Sequence, residues 1–154
     1  MDIARIKWTG KRQFLGLDQS GHSVVMDASP EFNGEGSGIR PVELVLHALA
    51  GCTAMDVISI LEKKRQTVTH LEVIARGEQR TDDYPKIYTA IELEYVVTGP
   101  DVSPVAVERA VELSEEKYCS VKGMLGPDVI VSTCFRCVDP TAGSTEAPAD
   151  QGTV

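Results

Sequence analysis

The chain has 154 residues and carries 15 Lys and Arg against 23 Asp and Glu, a formal charge of −8. That balance opposes nucleic-acid phosphates and anionic lipid as partners unless the cations cluster, and the one basic run, Lys63-Lys64-Arg65, stands where a helix C-terminus uses positive charge. The length holds one domain with a proper core, read as residues 1–138, and a tail over 139–154 that lacks an apolar face and is expected to be disordered. No basic-then-apolar leader opens the chain, and no apolar run approaches the roughly 20 residues that span a bilayer, so a soluble, cytoplasmic protein is expected.

The first third reads as a three-strand meander. "IARIKWTG" puts Ala4, Ile6 and Trp8 on one side, "QFLGLD" follows Gly10-Lys11-Arg12, and "HSVVMDA" follows the turn residues Asp18 to Gly21. Three glycines and a proline in "SPEFNGEGSGIR" predict an exposed loop without regular structure.

From Pro41 the pattern becomes a helix running to about Arg65, so poor in polar residues at its middle that it is expected to be buried nearly all round. Two long strands follow, "HLEVIARGEQR" and "IYTAIELEYVVTG". In the second, Ile87, Thr89, Ile91, Leu93, Tyr95 and Val97 share one face and Glu92 and Glu94 the other. Ser103-Pro104 caps and opens a helix, a short second helix runs from Cys119 to Leu125, and "DVIVSTCFRCV" is a last strand. Elements in this order do not alternate as strand and helix, so the expected class is α+β with largely antiparallel sheet.

Four cysteines without an export signal are expected to be thiols, redox groups or ligands. Cys134 and Cys137 spell C-x-x-C, but on a strand residues three apart point to opposite faces and do not readily form one disulfide or clamp one metal ion. Neither Cys52 nor Cys119 has a second cysteine or histidine at ligand spacing. Cys52, mid-helix, is either core filler or a reactive thiol. Around it Ala48, Ala50, Gly51 and Ala54 form a smooth patch, and a glycine inside a helix costs about 1 kcal/mol, so Gly51 needs a reason. Asp56, one turn on, opposes thiolate formation by like charge. Cys119, at the break between helices, is either a helix-end cysteine or a thiol favoured by free amide groups.

The stretches "RPVELVLHALAGCTAMDV" and "ERAVELSEEKYCSVKGML" resemble the two cysteine motifs of the OsmC/Ohr family of osmotically inducible and organic-hydroperoxide-resistance proteins, nearest to its OsmC-like branch. The resemblance runs from about Ala4 to Val138. It implies an OsmC-like fold of antiparallel sheets wrapping two central helices, in an intertwined homodimer with active sites at the interface. It also implies a thiol peroxidase acting on organic hydroperoxides or hydrogen peroxide, in which Cys52 becomes a sulfenic acid and Cys119 condenses with it to a disulfide that an external dithiol, lipoyl-type in the best-known members, reduces.

The same resemblance assigns Arg12, with Arg40 as rival, to lowering the pKa of the first thiol, and Glu43 to the family's glutamate. That glutamate stands ten residues before the cysteine in hydroperoxide-resistance members, where this chain has Val42; Glu43 is nine before, nearly opposite Cys52 on a straight helix of about 100° per residue. Ser120 and Val121 follow Cys119 where the peroxidase branches commonly have proline. His47 is a proton relay or an ordinary surface histidine. No metal, flavin or nucleotide is expected. On the same fold, a non-catalytic protein holding an apolar or sulfur-containing ligand in the dimer cleft is the alternative.

Overall fold

In β5, spanning Tyr88–Thr98, every second side chain points at the helices: Ile91, Leu93, Tyr95 and Val97 are buried, as their alternation with Glu92 and Glu94 predicts. The computed structural model describes residues 1–141, so most of the 139–154 tail lies outside the described residues. Strand β5 is the middle of a sheet ordered β4-β5-β6, with β4 at His70–Gln79 and β6 at Ile130–Val138. On its outer face Arg76 bridges Glu92 and Glu94 across strands, and Arg136 also reaches Glu94.

On the inner face lie α1, Glu43–Lys63, and α2, Pro104–Leu113. Leu49, Val57 and Leu61 of α1 meet Val107, Ala110 and Val111 of α2 and the inward residues of β5 in one core. Ser103 caps α2, its Oγ accepting the Ala106 amide at 3.4 Å, and Pro104 takes the first helical position. A π-helical turn, Ser114–Tyr118, prolongs α2, and the short α3, Ser120–Met124, follows.

The class is α+β as expected, with one correction to the strand directions. β4 and β5 pair antiparallel, but β5 and β6 pair parallel. The segment α2 to α3 crosses the inner face and returns the chain to the starting end of β5, so β6 must run the same way. Sequence order concealed this, because β6 keeps the alternating pattern of a strand with one wet face.

A second sheet, β1 (Arg5–Gly10), β2 (Gln13–Leu17) and β3 (Ser23–Met26), is the predicted meander, antiparallel throughout. Its expected apolar face is left open within the chain: Ile6 is 57% and Trp8 68% exposed. A concavity of about 420 Å³ lies between this sheet and Leu44 of α1.

Helix α1 also departs from expectation. Leu49, Thr53, Val57 and Leu61 are buried on one side, but His47, Ala48 and Gly51 are exposed on the other and Met55 is 68% exposed. Counted with its alanines, glycine and threonine, α1 is long and apolar enough to cross a membrane, which corrects the reading that no run approaches that length. In this chain it lies along β4 and α2.

The glycine-rich segment after β3 is more ordered than its composition predicts. Asp27, 2% exposed, accepts hydrogen bonds from the amides of Ala28, Glu35 and Ser37 and from the Ser37 hydroxyl at 2.7 Å. A turn of 3-10 helix, Pro30–Phe32, folds inside this wrap, and a Cβ on Gly34 would stand 1.8 Å from the Ala28 carbonyl oxygen. The Ser37 hydroxyl, aided by the amides, holds the Asp27 carboxyl below its usual range.

A folded pKa below the unfolded one means that the ionised form stabilises the wrap above the unfolded value, near 3.9, and that this contribution is lost as pH falls through the folded value. Asp27→Ala is therefore expected to open residues 28–40 to limited proteolysis at neutral pH with the helical far-UV signal retained. The parent should show the same cleavage only in strong acid; equal protection of variant and parent at neutral pH would contradict this role.

Candidate active site

Thr53 sits on the buried side of α1, and its hydroxyl touches two others: Tyr95 Oη of β5 at 2.7 Å and Ser114 Oγ, at the end of α2, at 2.8 Å. Ser114 Oγ in turn donates to Asp56 Oδ2 at 2.9 Å. Each hydroxyl carries one proton, so the direction is fixed from the carboxylate backwards. Ser114 gives its proton to Asp56, Thr53 gives its own to Ser114, and Tyr95 donates to Thr53. Burial pushes the Tyr95 phenol up to about 12, so it remains a donor.

This chain of hydroxyls ends beside two sulfurs. One Sγ each of Cys52 and Cys119 and one carboxylate oxygen of Asp56 all lie within 4.8 Å of one another. Both thiols are free; Cys119 is buried and Cys52 partly exposed. Cys52 precedes Thr53 on α1, and Asp56 follows one turn on, so a single helical face presents both.

Cys119 is delivered by the π turn. Its amide donates to the Ser114 carbonyl at 2.8 Å, five residues back, and its sulfur accepts the Lys122 amide at 3.4 Å as the cap of α3. Burial raises the Cys119 thiol pKa, the Lys122 amide opposes that shift, and the neighbouring Cys52 sulfur adds to it. Lys122 Nζ pairs with Glu115 Oε2 at 3.2 Å, while Glu115 Oε1 is buried without a hydrogen-bond partner among the described residues.

The other sequence candidates lie elsewhere. Glu43 opens α1 and is bound twice by Arg40, through the guanidinium at 2.6 Å and the backbone amide at 2.9 Å; the arginine holds its carboxyl below the usual range. Because α1 is helical throughout from Glu43, nine steps of about 100° leave that carboxylate on the side away from Cys52. Arg12 is exposed in the turn between β1 and β2, with no ion pair among the described residues. His47 is exposed and hydrogen-bonds to the Glu43 carbonyl. On β6, Cys134 faces solvent and Cys137 packs inward, as residues three apart on a strand must.

In the sequence Asp56 signals only a like charge opposing Cys52, and nothing marks its contact with Ser114. The i, i+4 spacing to Cys52 was a usable signal; the partner 58 residues away was not.

The family model for OsmC-like proteins matches residues 34–133, which include every member of this cluster and exclude Arg12. The chain belongs to the OsmC-like protein family. Protein YhfA of Escherichia coli K12 is 44% identical over 135 residues, 88% of this chain and 97% of its own length. The crystal structure of a hypothetical protein from Aquifex aeolicus is 32% identical, with a TM-score of 0.78 over 90% of this chain and 97% of its own. An organic hydroperoxide resistance protein of Legionella pneumophila shares the OsmC-like fold at 17% identity, with a TM-score of 0.66 over 90% of this chain and 96% of its own.

The hydroxyl chain generates an unequal pair of expectations. Thr53→Val should cost about 1–3 kcal/mol, because the buried Tyr95 hydroxyl loses its acceptor. Adding Tyr95→Phe removes the stranded group and should recover part of that loss. Urea unfolding of the three chains measures both, and a double variant less stable than Thr53→Val would contradict the assignment.

Proposed function

We propose that this OsmC-like protein reduces organic hydroperoxides or hydrogen peroxide with Cys52 and Cys119. The observation that carries the reading is the approach of the two sulfurs, as free thiols, to within 4.8 Å in a site that leaves Cys52 partly open. Family membership and the hydroperoxide-resistance name of the Legionella neighbour support it.

In the first step the Cys52 thiolate attacks the peroxide oxygen. An S–O bond forms, the O–O bond breaks, and the departing alkoxide takes a proton and leaves as alcohol, or as water from hydrogen peroxide. The Cys119 thiolate then attacks the Cys52 sulfur; the S–S bond forms and hydroxide leaves as water. An external dithiol reduces the disulfide and is itself oxidised, a cycle suited to a reducing cytoplasm. Asp56 is placed to accept a thiol proton and return it to the leaving oxygen.

The working unit is a homodimer. A second copy covers the exposed side of α1, where a Cβ added to Gly51 would meet nothing within 4 Å, and the open apolar face around Ile6 and Trp8. This supplies the reason that a glycine inside the helix requires. Gly51→Arg leaves contacts within one chain untouched and should turn a dimer into a monomer in light scattering, with the far-UV spectrum unchanged; a dimer that survives would place the contact elsewhere.

One observation favours a ligand-binding protein instead. Arg40 is bound to Glu43, and a carboxylate stands beside the sulfurs. In that reading the cleft holds an apolar or sulfur-containing ligand without turnover.

Intact mass of the reduced, metal-free protein after one equivalent of cumene hydroperoxide separates the two. Peroxidase chemistry predicts the loss of two hydrogens. Cys52→Ser should abolish it, and Cys119→Ser should replace it with a sulfenic or overoxidised product. An unchanged parent mass selects the binding protein.

A further inference from the structure

The geometry points to a metal site: Cys52, Cys119 and Asp56 form a three-ligand seat for a divalent cation of borderline softness, with Zn²⁺ the best match. Two sulfurs and one carboxylate oxygen lie within 4.8 Å of one another, close enough for small side-chain movements to bring all three onto one ion. Two thiolates with an oxygen donor and a fourth open position suit Zn²⁺ in tetrahedral geometry, whereas Mg²⁺ and Ca²⁺ prefer oxygen alone.

Two of the ligands are already oriented by hydrogen bonds of the kind that support metal centres. The Ser114 hydroxyl holds Asp56 Oδ2 at 2.9 Å, and the Lys122 amide holds Cys119 Sγ at 3.4 Å. A second observation is the buried Glu115 Oε1, which has no hydrogen-bond partner among the described residues. The Glu115 and Asp56 carboxyl groups both act on the Tyr95 hydroxyl to oppose its ionisation, so they share one small region with Cys119. Lys122 is the cation paired there.

The expectation of no metal comes with the peroxidase resemblance and with the lack of a ligand spacing in the sequence. The fold brings the third donor from one turn along α1 and the second sulfur from beyond α2.

Binding replaces two S–H bonds with two Zn–S bonds and releases two protons, with Asp56 as third ligand and water as fourth. No electron is transferred. Binding does not depend on the peroxidase reading; one consequence does. A disulfide between Cys52 and Cys119 leaves no thiolate to hold the ion, so metal loading and turnover exclude each other.

The test is competition of Zn²⁺ between the reduced full chain and a chromophoric chelator, with Co²⁺ substitution read by its sulfur-to-metal charge-transfer band. One equivalent per chain is expected, lost in Cys52→Ser and in Cys119→Ser and weakened about tenfold or more in Asp56→Asn. The diamide-oxidised parent should release the ion, a control that needs no variant to fold. Retention of Zn²⁺ by the oxidised parent, affinity that survives in both serine variants or falls instead in Cys134→Ser, or no competition by the reduced parent would each overturn the site. Failure of the peroxide mass experiment on metal-free protein would leave these results standing, so the two readings fail separately.

Discussion

The Thr53 hydroxyl is the joint on which the site depends. It is buried, and within 2.8 Å it meets one group from β5 and one from the end of α2. A shift of either neighbour would strand a polar group away from water, which costs more than the bond itself contributes. The spacing of three elements is thereby fixed at the depth where Cys52 and Cys119 meet. Hydrophobic packing of Leu49, Val57, Leu61 and Ile91 supplies most of the cohesion but little of this directional control.

Around that joint the electrostatics divide into two roles. On the outer face of the β4-β5-β6 sheet, Arg76 and Arg136 pair with glutamates in water, where such bridges contribute little. On the inner face the Asp56 carboxylate takes the end of the hydrogen-bond chain and lies within 4.8 Å of both sulfurs. Arg40 and Glu43 form a closed pair at the start of α1. At the sulfurs, burial raises the Cys119 thiol pKa, the Lys122 amide opposes that shift and the Cys52 sulfur adds to it.

Much of this was legible in the chain because it is local. The alternation from Ile91 to Val97, the Ser103-Pro104 cap and the break at Cys119 all follow from side-chain period and helix-end chemistry. The two cysteine motifs brought the family with them. What stayed hidden depends on contacts across the fold. The parallel β5–β6 pair looks antiparallel because β6 alternates, and Asp27 orders a loop whose glycines predict no regular structure. Ser114 reads as a helix interior serine until Thr53 and Asp56 are brought to it. The exposed side of α1 could not be told from a buried one, since apolar residues carry no label for what covers them.

The π turn gives the chain's length a chemical meaning. It holds one residue more than an α-helical turn across Ser114–Tyr118, and it sets Cys119 by a bond reaching five residues back. Removing one residue there would restore α geometry and swing the sulfur by about 100° around the axis. In the eight residues between β4 and β5, 80–87, an insertion would displace only surface chain. Tolerance to insertion and deletion is thus uneven along this protein, and between Ser114 and Cys119 the count of residues matters as much as their identity.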